Sequence, residues 1–315
     1  MSNVSQQLIS GALSGFASGI CLQPFDLLKT RMQQGDGSAV PAKHGQRILH
    51  VTREVIRTNG FSGLWRGTTA TLLRNVPGVA MYFTGLTQLR TLMATSPYFA
   101  SMQASSQHTH GSTLPKLSVQ GNLLAGATAR VAVGFVLNPF TVLKARYESN
   151  LYNYNSLWGA FRSLARGGPS ELFLGFWPSA IRDAPYAGLF VVFYEIIKQE
   201  TGKLLPSNSS VQAASVHSFA AASSGAIATL ITHPFDVIKT KMQVRSEKRY
   251  HGVLQTSATI WKQRGIEGFF DGATLRLSRK VLSSMIGWVV YEGILIFIKG
   301  HNVKETRLKE AEAAS

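Results

Sequence analysis

One octapeptide recurs three times along this chain. It reads Pro24-Phe-Asp-Leu-Leu-Lys-Thr-Arg31, then Pro139-Phe-Thr-Val-Leu-Lys-Ala-Arg146, then Pro234-Phe-Asp-Val-Ile-Lys-Thr-Lys241. A second element follows each copy: Gly60-x4-Trp65-Arg66-Gly67, Gly168-x4-Phe173-Leu174-Gly175 and Gly265-x4-Phe270-Asp271-Gly272. The gaps from proline to leading glycine are 36, 29 and 31 residues. Two linked elements in fixed order, three times over, specify repeated units that complete one another's packing.

The composition restricts what those units can be. Of 315 residues, 32 are Lys or Arg and 16 are Asp or Glu, a net charge of +16. Only 15% are charged, 45% are hydrophobic, and the mean hydropathy is +0.06. Soluble domains carry about a quarter charged residues. The chain is thus basic yet poor in charge, which excludes a solvated nucleic-acid surface, and its apolar content excludes intrinsic disorder. Residues 4–25 carry no charge, residues 122–143 carry only Arg130, and residues 204–235 carry none besides two histidines. A helix spanning a bilayer needs about 20 mainly apolar residues. With hydropathy near zero, each helix is expected to show one face to lipid and another to a polar interior. Gly11, Gly15 and Gly19, and likewise Ala221, Gly225 and Thr229, are spaced for close helix packing in lipid.

Other features argue against alternatives. The single cysteine, Cys21, rules out an internal disulfide or a thiolate zinc site, and it is read as a small buried apolar residue. His108 and His110 in a Ser/His-rich stretch make no metal site by themselves, so no metal is expected. The N-terminus shows neither a signal peptide nor a cleavable transit peptide. The phosphate-loop, zinc-protease and nucleophile-elbow motifs are absent, and the acid–base pairs recur in threefold positions. No enzyme activity is expected.

The two linked elements resemble the signature of the mitochondrial carrier family, over about residues 5–298. The resemblance implies an all-α membrane protein: a three-fold pseudosymmetric bundle of six transmembrane helices with three short matrix-side helices. Repeats are placed at 5–94, 117–200 and 212–299, with a connecting loop at 95–116 and a tail at 300–315. Odd helices fall near 5–34, 117–148 and 212–243, and even helices near 69–94, 176–199 and 273–299. Connecting helices fall near 46–58, 155–165 and 252–263. The resemblance further implies the mitochondrial inner membrane, termini facing the intermembrane space, and a monomer. It implies no cofactor, but bound cardiolipin near Trp65, Arg66 and Gly67, near Phe173 and Gly175, and near Phe270 and Gly272.

Residue roles follow from the same resemblance. Pro24, Pro139 and Pro234 kink the odd helices. A matrix gate forms from Asp26 with Lys144, Asp236 with Lys29, and position 141 with Lys239. Thr141 cannot supply that third charge. Gln33 and Gln243 brace the ring, and Glu148 takes the bracing position in repeat 2, near enough in sequence to replace the missing acid. An intermembrane-space gate uses Arg90, Glu195, Lys198 and Glu292, of which only the Glu292–Arg90 pair is complete. Charge removal at Asp26 or Asp236 is therefore expected to disturb transport more than removal at Glu195.

Cargo is expected between the gates. Arg182-Asp183 falls at a contact point of the even helices, with Lys280 beside Arg279 at another, Tyr82 near the first, and Arg74 deeper. Arginine holds a carboxylate through two charge-assisted bonds, and aspartate accepts from an ammonium group. A zwitterion needs both. Residues 141–149, 152–157 and 182–188 further resemble the glycine-carrying branch of the family, which implies glycine import for 5-aminolevulinate and haem synthesis. Another small amino acid or a phosphorylated anion is the alternative cargo.

Overall fold

The structure is a computed structural model that describes residues 15–35, 44–96, 119–152, 154, 156–204, 210–283, 285, 286, 289 and 293. The regular elements among them are all helical. The predicted connecting loop from residue 97 on, the tail, Gly11, His108, His110 and Glu292 lie outside the described residues.

Each octapeptide starts a helix. These are α1 (Gln23–Gln33), α5 (Asn138–Glu148) and α9 (His233–Val244). Proline sits in the first turn of each, where its missing N–H is no loss and its fixed φ suits the helix. The preceding helical stretch stops one residue earlier, at Leu22, Leu137 and Thr232. The kinks expected at the prolines of the odd helices are thus breaks in the helix. The bend between Gly121–Val136 and Asn138–Glu148 is 66°. We label the segment before it α4 (Val119–Val136), and the segment before α9 is α8 (Ser210–Ile231).

The even elements are α3 (Thr68–Thr95), α7 (Phe176–Leu204) and a helix over residues 273–283. Pro77 and Pro185 lie inside α3 and α7 without ending them. Among the described residues no single helix is long and apolar enough to cross a membrane, although the bent pair passes that test. The cause lies in the polar inner faces. α3 carries Arg74 and α7 carries Arg182 and Asp183 toward one cavity. Away from it they expose Val76, and Trp177, Val192 and Ile196. Exposed apolar surface on this scale calls for a partner phase such as lipid.

The connecting helices α2 (His44–Asn59), α6 (Leu157–Arg166) and α10 (Val253–Arg264) complete three equivalent small cores. Leu27, Leu28 and Met32 pack with Val55; Val142 and Leu143 pack with Ala160 and Leu164; Val237, Ile238 and Met242 pack with Ile260. Ser156 caps α6 by accepting from the Gly159 amide at 3.0 Å. Cys21 is exposed, at the break before α1 and not in a core. Gly19 lies against Leu72 of α3, whereas Gly15 has open space around it, so only part of the predicted small-residue stripe packs.

Candidate functional site

The break before each proline turns one side chain inward. Gln23, Asn138 and His233 precede the three prolines and are fully buried. Gln23 donates to the Arg66 carbonyl at 3.0 Å, Asn138 donates to those of Leu172 and Leu174 at 2.8 and 3.2 Å, and His233 Nε2 lies 3.1 Å from the Asp271 carbonyl. Sequence reasoning missed these residues. The available signal was a polar side chain immediately before every repeat proline.

The glycine after each carbonyl then sits against the neighbouring repeat. Gly175 has φ +74°, and a Cβ there would lie 2.8 Å from Gln243 Cγ. Gln33 donates to Asp236 at 3.3 Å and to the Asp271 carbonyl at 3.2 Å, while Gln243 donates to the Leu174 carbonyl at 3.3 Å. Glu148 has no N–H to offer. It accepts instead, from Gln23 at 3.0 Å and Thr30 at 2.7 Å, and Lys144 approaches at 3.5 Å. Its position corrects the sequence expectation: Glu148 adds charge where Asp26 already stands and does not replace the missing acid at position 141.

One helical turn further in, the octapeptide charges meet. Lys144 reaches Asp26 at 2.6 Å and Lys29 reaches Asp236 at 2.5 Å. Each acid also takes an arginine from an even helix, Arg279 on Asp26 and Arg182 on Asp236, the latter at 2.6 Å. Asp236 is 1% exposed. A buried charge of this kind is tolerated only when paired and hydrogen-bonded. The third corner differs. Thr141 accepts from Arg74 Nε at 3.1 Å and donates to the Leu137 carbonyl at 3.1 Å. Lys239, 8% exposed, makes no ion pair or hydrogen bond among the described residues.

Above these corners lies a cavity of about 500 Å³. Arg74, Arg182, Asp183, Lys239, Arg279 and Lys280 all reach it, and cations outnumber carboxylates around it. A second space of about 270 Å³, which includes Tyr82, shares Arg74, Arg130, Thr141 and Asp183 with the first. Arg130 stacks over Tyr82 at 5.1 Å, and Lys280 lies over Tyr186 at 3.8 Å while donating to Thr229 at 3.3 Å. Arg182 and Asp183 do meet, through two bonds of 2.7 and 3.1 Å. With its third nitrogen on Asp236, the Arg182 fork is filled by the protein's own carboxylates.

Toward the far end, Glu195 and Lys198 lie 4.0 Å apart, both exposed, and Lys198 also sits over the Tyr194 ring at 5.8 Å. The Arg90 Nε is buried without a hydrogen bond among the described residues. Trp65 donates to the Ile20 carbonyl at 3.0 Å, and Arg66 donates to that of Tyr152 at 2.9 Å. Phe173 stacks on Phe135 at 4.5 Å, and Phe270 on His233 at 6.1 Å. Asp271 holds Arg47 at 2.8 Å and Arg264 at 2.5 Å.

Three copies of a proline-broken helix, joined by ion pairs below a charged cavity, define a helical solute carrier. Comparison with known proteins agrees. The family model described as mitochondrial carrier protein matches residues 1–97, 115–203 and 211–302, and the chain belongs to that family. It is a multi-pass transport protein of the mitochondrial inner membrane and not an enzyme. A Laccaria bicolor protein named mitochondrial glycine transporter is 65% identical over 95% of this chain and 99% of its own length. Proteins of that name from Coccidioides immitis and Mycosarcoma maydis are 41% and 39% identical, over 95% and 90% of this chain and 91% and 82% of theirs.

Proposed function

We propose that this chain imports glycine into the mitochondrial matrix, supplying 5-aminolevulinate and haem synthesis. The observation that carries this reading is the 65% identity, over nearly the whole length of both chains, to a protein named for glycine transport. The cavity suits such a cargo, since it offers cations and Asp183 within one small volume and a zwitterion needs both signs.

In this reading the repeats at 5–94, 117–200 and 212–299 form a pseudosymmetric bundle of six spans. The broken helices are the odd spans, and α3, α7 and the helix from residue 273 are the even ones. Both termini face the intermembrane space, and the protein works as a monomer. The formed Asp26–Lys144 and Lys29–Asp236 pairs close the matrix side. Gln33 braces one pair directly, and Gln243 braces the third corner. Glycine enters from the other side and binds among Arg74, Tyr82, Arg182, Asp183, Arg279 and Lys280. Its charges take up part of the network, the matrix pairs part, and the gate of Arg90, Glu195, Lys198 and Glu292 closes. Cargo must favour the occluded state over either open one to drive this exchange. Cardiolipin headgroups bind the amides that begin α3, α7 and the last even helix, beside Gly67, Gly175 and Gly272, because helix N-termini favour phosphate. The excess of cavity cations supports a second reading, in which the cargo is another small amino acid or a phosphorylated anion.

Uptake of labelled glycine into cardiolipin-containing liposomes tests the proposal, with an Arg182→Ala/Asp183→Ala double variant alongside. Uptake by the native protein that the variant loses is the expected result. No uptake above protein-free liposomes, with the protein shown to be folded, would move the cargo to the second reading.

A further inference from the structure

The three corners of the ion-pair layer follow one rule. An octapeptide acid meets a lysine from the next repeat and an arginine from the previous one. Asp26 meets Lys144 and Arg279, and Asp236 meets Lys29 and Arg182. The rule places Thr141 with Lys239 and Arg74. Both cations are there and the acid is not. Among the described residues Arg74 makes hydrogen bonds only to neutral oxygens, those of Thr141 and Asn75 at 3.1 Å each. Lys239 is buried, lines the cavity, and makes no hydrogen bond or ion pair among the described residues. Arg182, which the sequence offers as the carboxylate receptor, spends all three nitrogens on Asp183 and Asp236.

We propose that the cargo's carboxylate occupies this third corner, bound by Arg74 and Lys239 over the Thr141 hydroxyl, and so completes the ring that the protein leaves open. Asp183 borders the same space, with 30% of its side chain exposed, and accepts the cargo's ammonium group. The inference rests on the reading of the chain as an amino-acid carrier and adds where each charge of the cargo goes. It also gives binding a direct effect on the gate. A carboxylate at this corner draws on Arg74 and Lys239, which face the neighbouring pairs across the same cavity.

The test compares Thr141→Asp, Thr141→Asn and Lys239→Gln with native protein in liposomes, reading KM and kcat for labelled glycine and thermal stability with and without it. Thr141→Asp installs the missing acid inside the protein. It is expected to raise stability without glycine, abolish stabilisation by glycine, and raise KM by about tenfold or more, the equivalent of one charge-assisted bond. Thr141→Asn has the same size without charge and should raise KM far less. Lys239→Gln should raise KM without lowering stability, because no native pair is broken. A KM for Thr141→Asp equal to native overturns the proposal. So does an equal rise for Asp and Asn, which would make volume the cause, or a change in kcat alone, which would mean only a tighter gate. If native protein neither imports glycine nor is stabilised by it, the glycine reading fails. The corner is then judged by the same variants with alanine, serine and phosphorylated anions. Loss of an amino acid in Thr141→Asp sustains it. Import of an anion lacking a carboxylate, or stabilisation by none of these cargoes, overturns it.

Discussion

Asp236 carries Lys29 on one oxygen and Arg182 on the other, with the Gln33 amide beside them. Changing it to Asn leaves two cations in a buried site with one neutral oxygen between them. Breaking a buried pair in this way costs about 3–5 kcal/mol. Asp236→Asn is therefore expected to melt well below native protein and to lose most uptake in liposomes. Glu195→Gln should disturb both far less, because Glu195 is 52% exposed and pairs with its own helix neighbour Lys198 at 4.0 Å, and exposed pairs contribute about 0–1 kcal/mol. Equal losses in the two variants would refute a matrix-side network dominated by buried acids. Gly175 makes a second residue-scale test. Its φ of +74° disfavours a side chain, and a Cβ would press on Gln243 Cγ at 2.8 Å. Gly168 has a similar φ of +88° with nothing near its Cβ position. The two Ala variants share the backbone strain and differ in crowding, so Gly175→Ala should be the less stable by about 1–3 kcal/mol in thermal denaturation.

Between elements, the seam joining α5 to α9 lacks two polar links that the seams joining α1 to α5 and α9 to α1 have. Thr30 donates to Glu148 and Thr240 donates to Gln33, both at 2.7 Å. The equivalent position on α5 is Ala145, and it has no hydroxyl to offer Gln243. The same seam lacks the acid at position 141. Ala145→Thr should restore one buried hydrogen bond, raise stability by about 1 kcal/mol, and slow transport by holding the matrix side shut. A variant no more stable than native would show that the seam has no room for the hydroxyl. This asymmetry was only half legible in the sequence. The octapeptides showed which charges share a layer, because proline and lysine keep their spacing in all three copies and the acid keeps it in two. They did not show the arginines from α3, α7 and the last even helix, because those residues lie far away in sequence and arrive through packing. Glu148 was misread for a related reason. Sequence spacing put it near position 141, but it lies two turns further along the same helix, beside α1, where Gln23 and Thr30 supply donors. The connecting helices lie within two residues of where the family resemblance put them. The breaks in the odd helices fall at Leu22, Leu137 and Thr232, two residues before the prolines expected to kink them.

At the scale of the whole molecule, three repeats in sequence must still close into a ring, and the last has to find the first. The Gln33 and Thr240 bonds and the Lys29–Asp236 pair do this on the inside. Asp271 does it outside. It stands where the first repeat has Arg66, is 1% exposed, and joins Arg47 of α2 to Arg264 of α10. The other two repeats close differently: Arg66 donates to the Tyr152 carbonyl, and Arg146 pairs with Glu171 inside its own repeat. A charge that reaches from the first repeat to the third, across 224 residues, resists separation of the ends of the chain in a way that a local pair cannot. Because Arg47 and Arg264 retain some access to solvent, Asp271→Asn should cost about 2 kcal/mol rather than the full penalty of a stranded charge. The signature of ring closure is coupling. In a double-mutant cycle by thermal or denaturant unfolding, Asp271→Asn and Arg47→Gln should couple by about 1 kcal/mol or more, as expected for residues in direct contact. Asp271→Asn with Arg146→Gln should be additive, since no shared side chain links them. Additivity in the Arg47 cycle would mean that the inner layer alone holds the first repeat to the third.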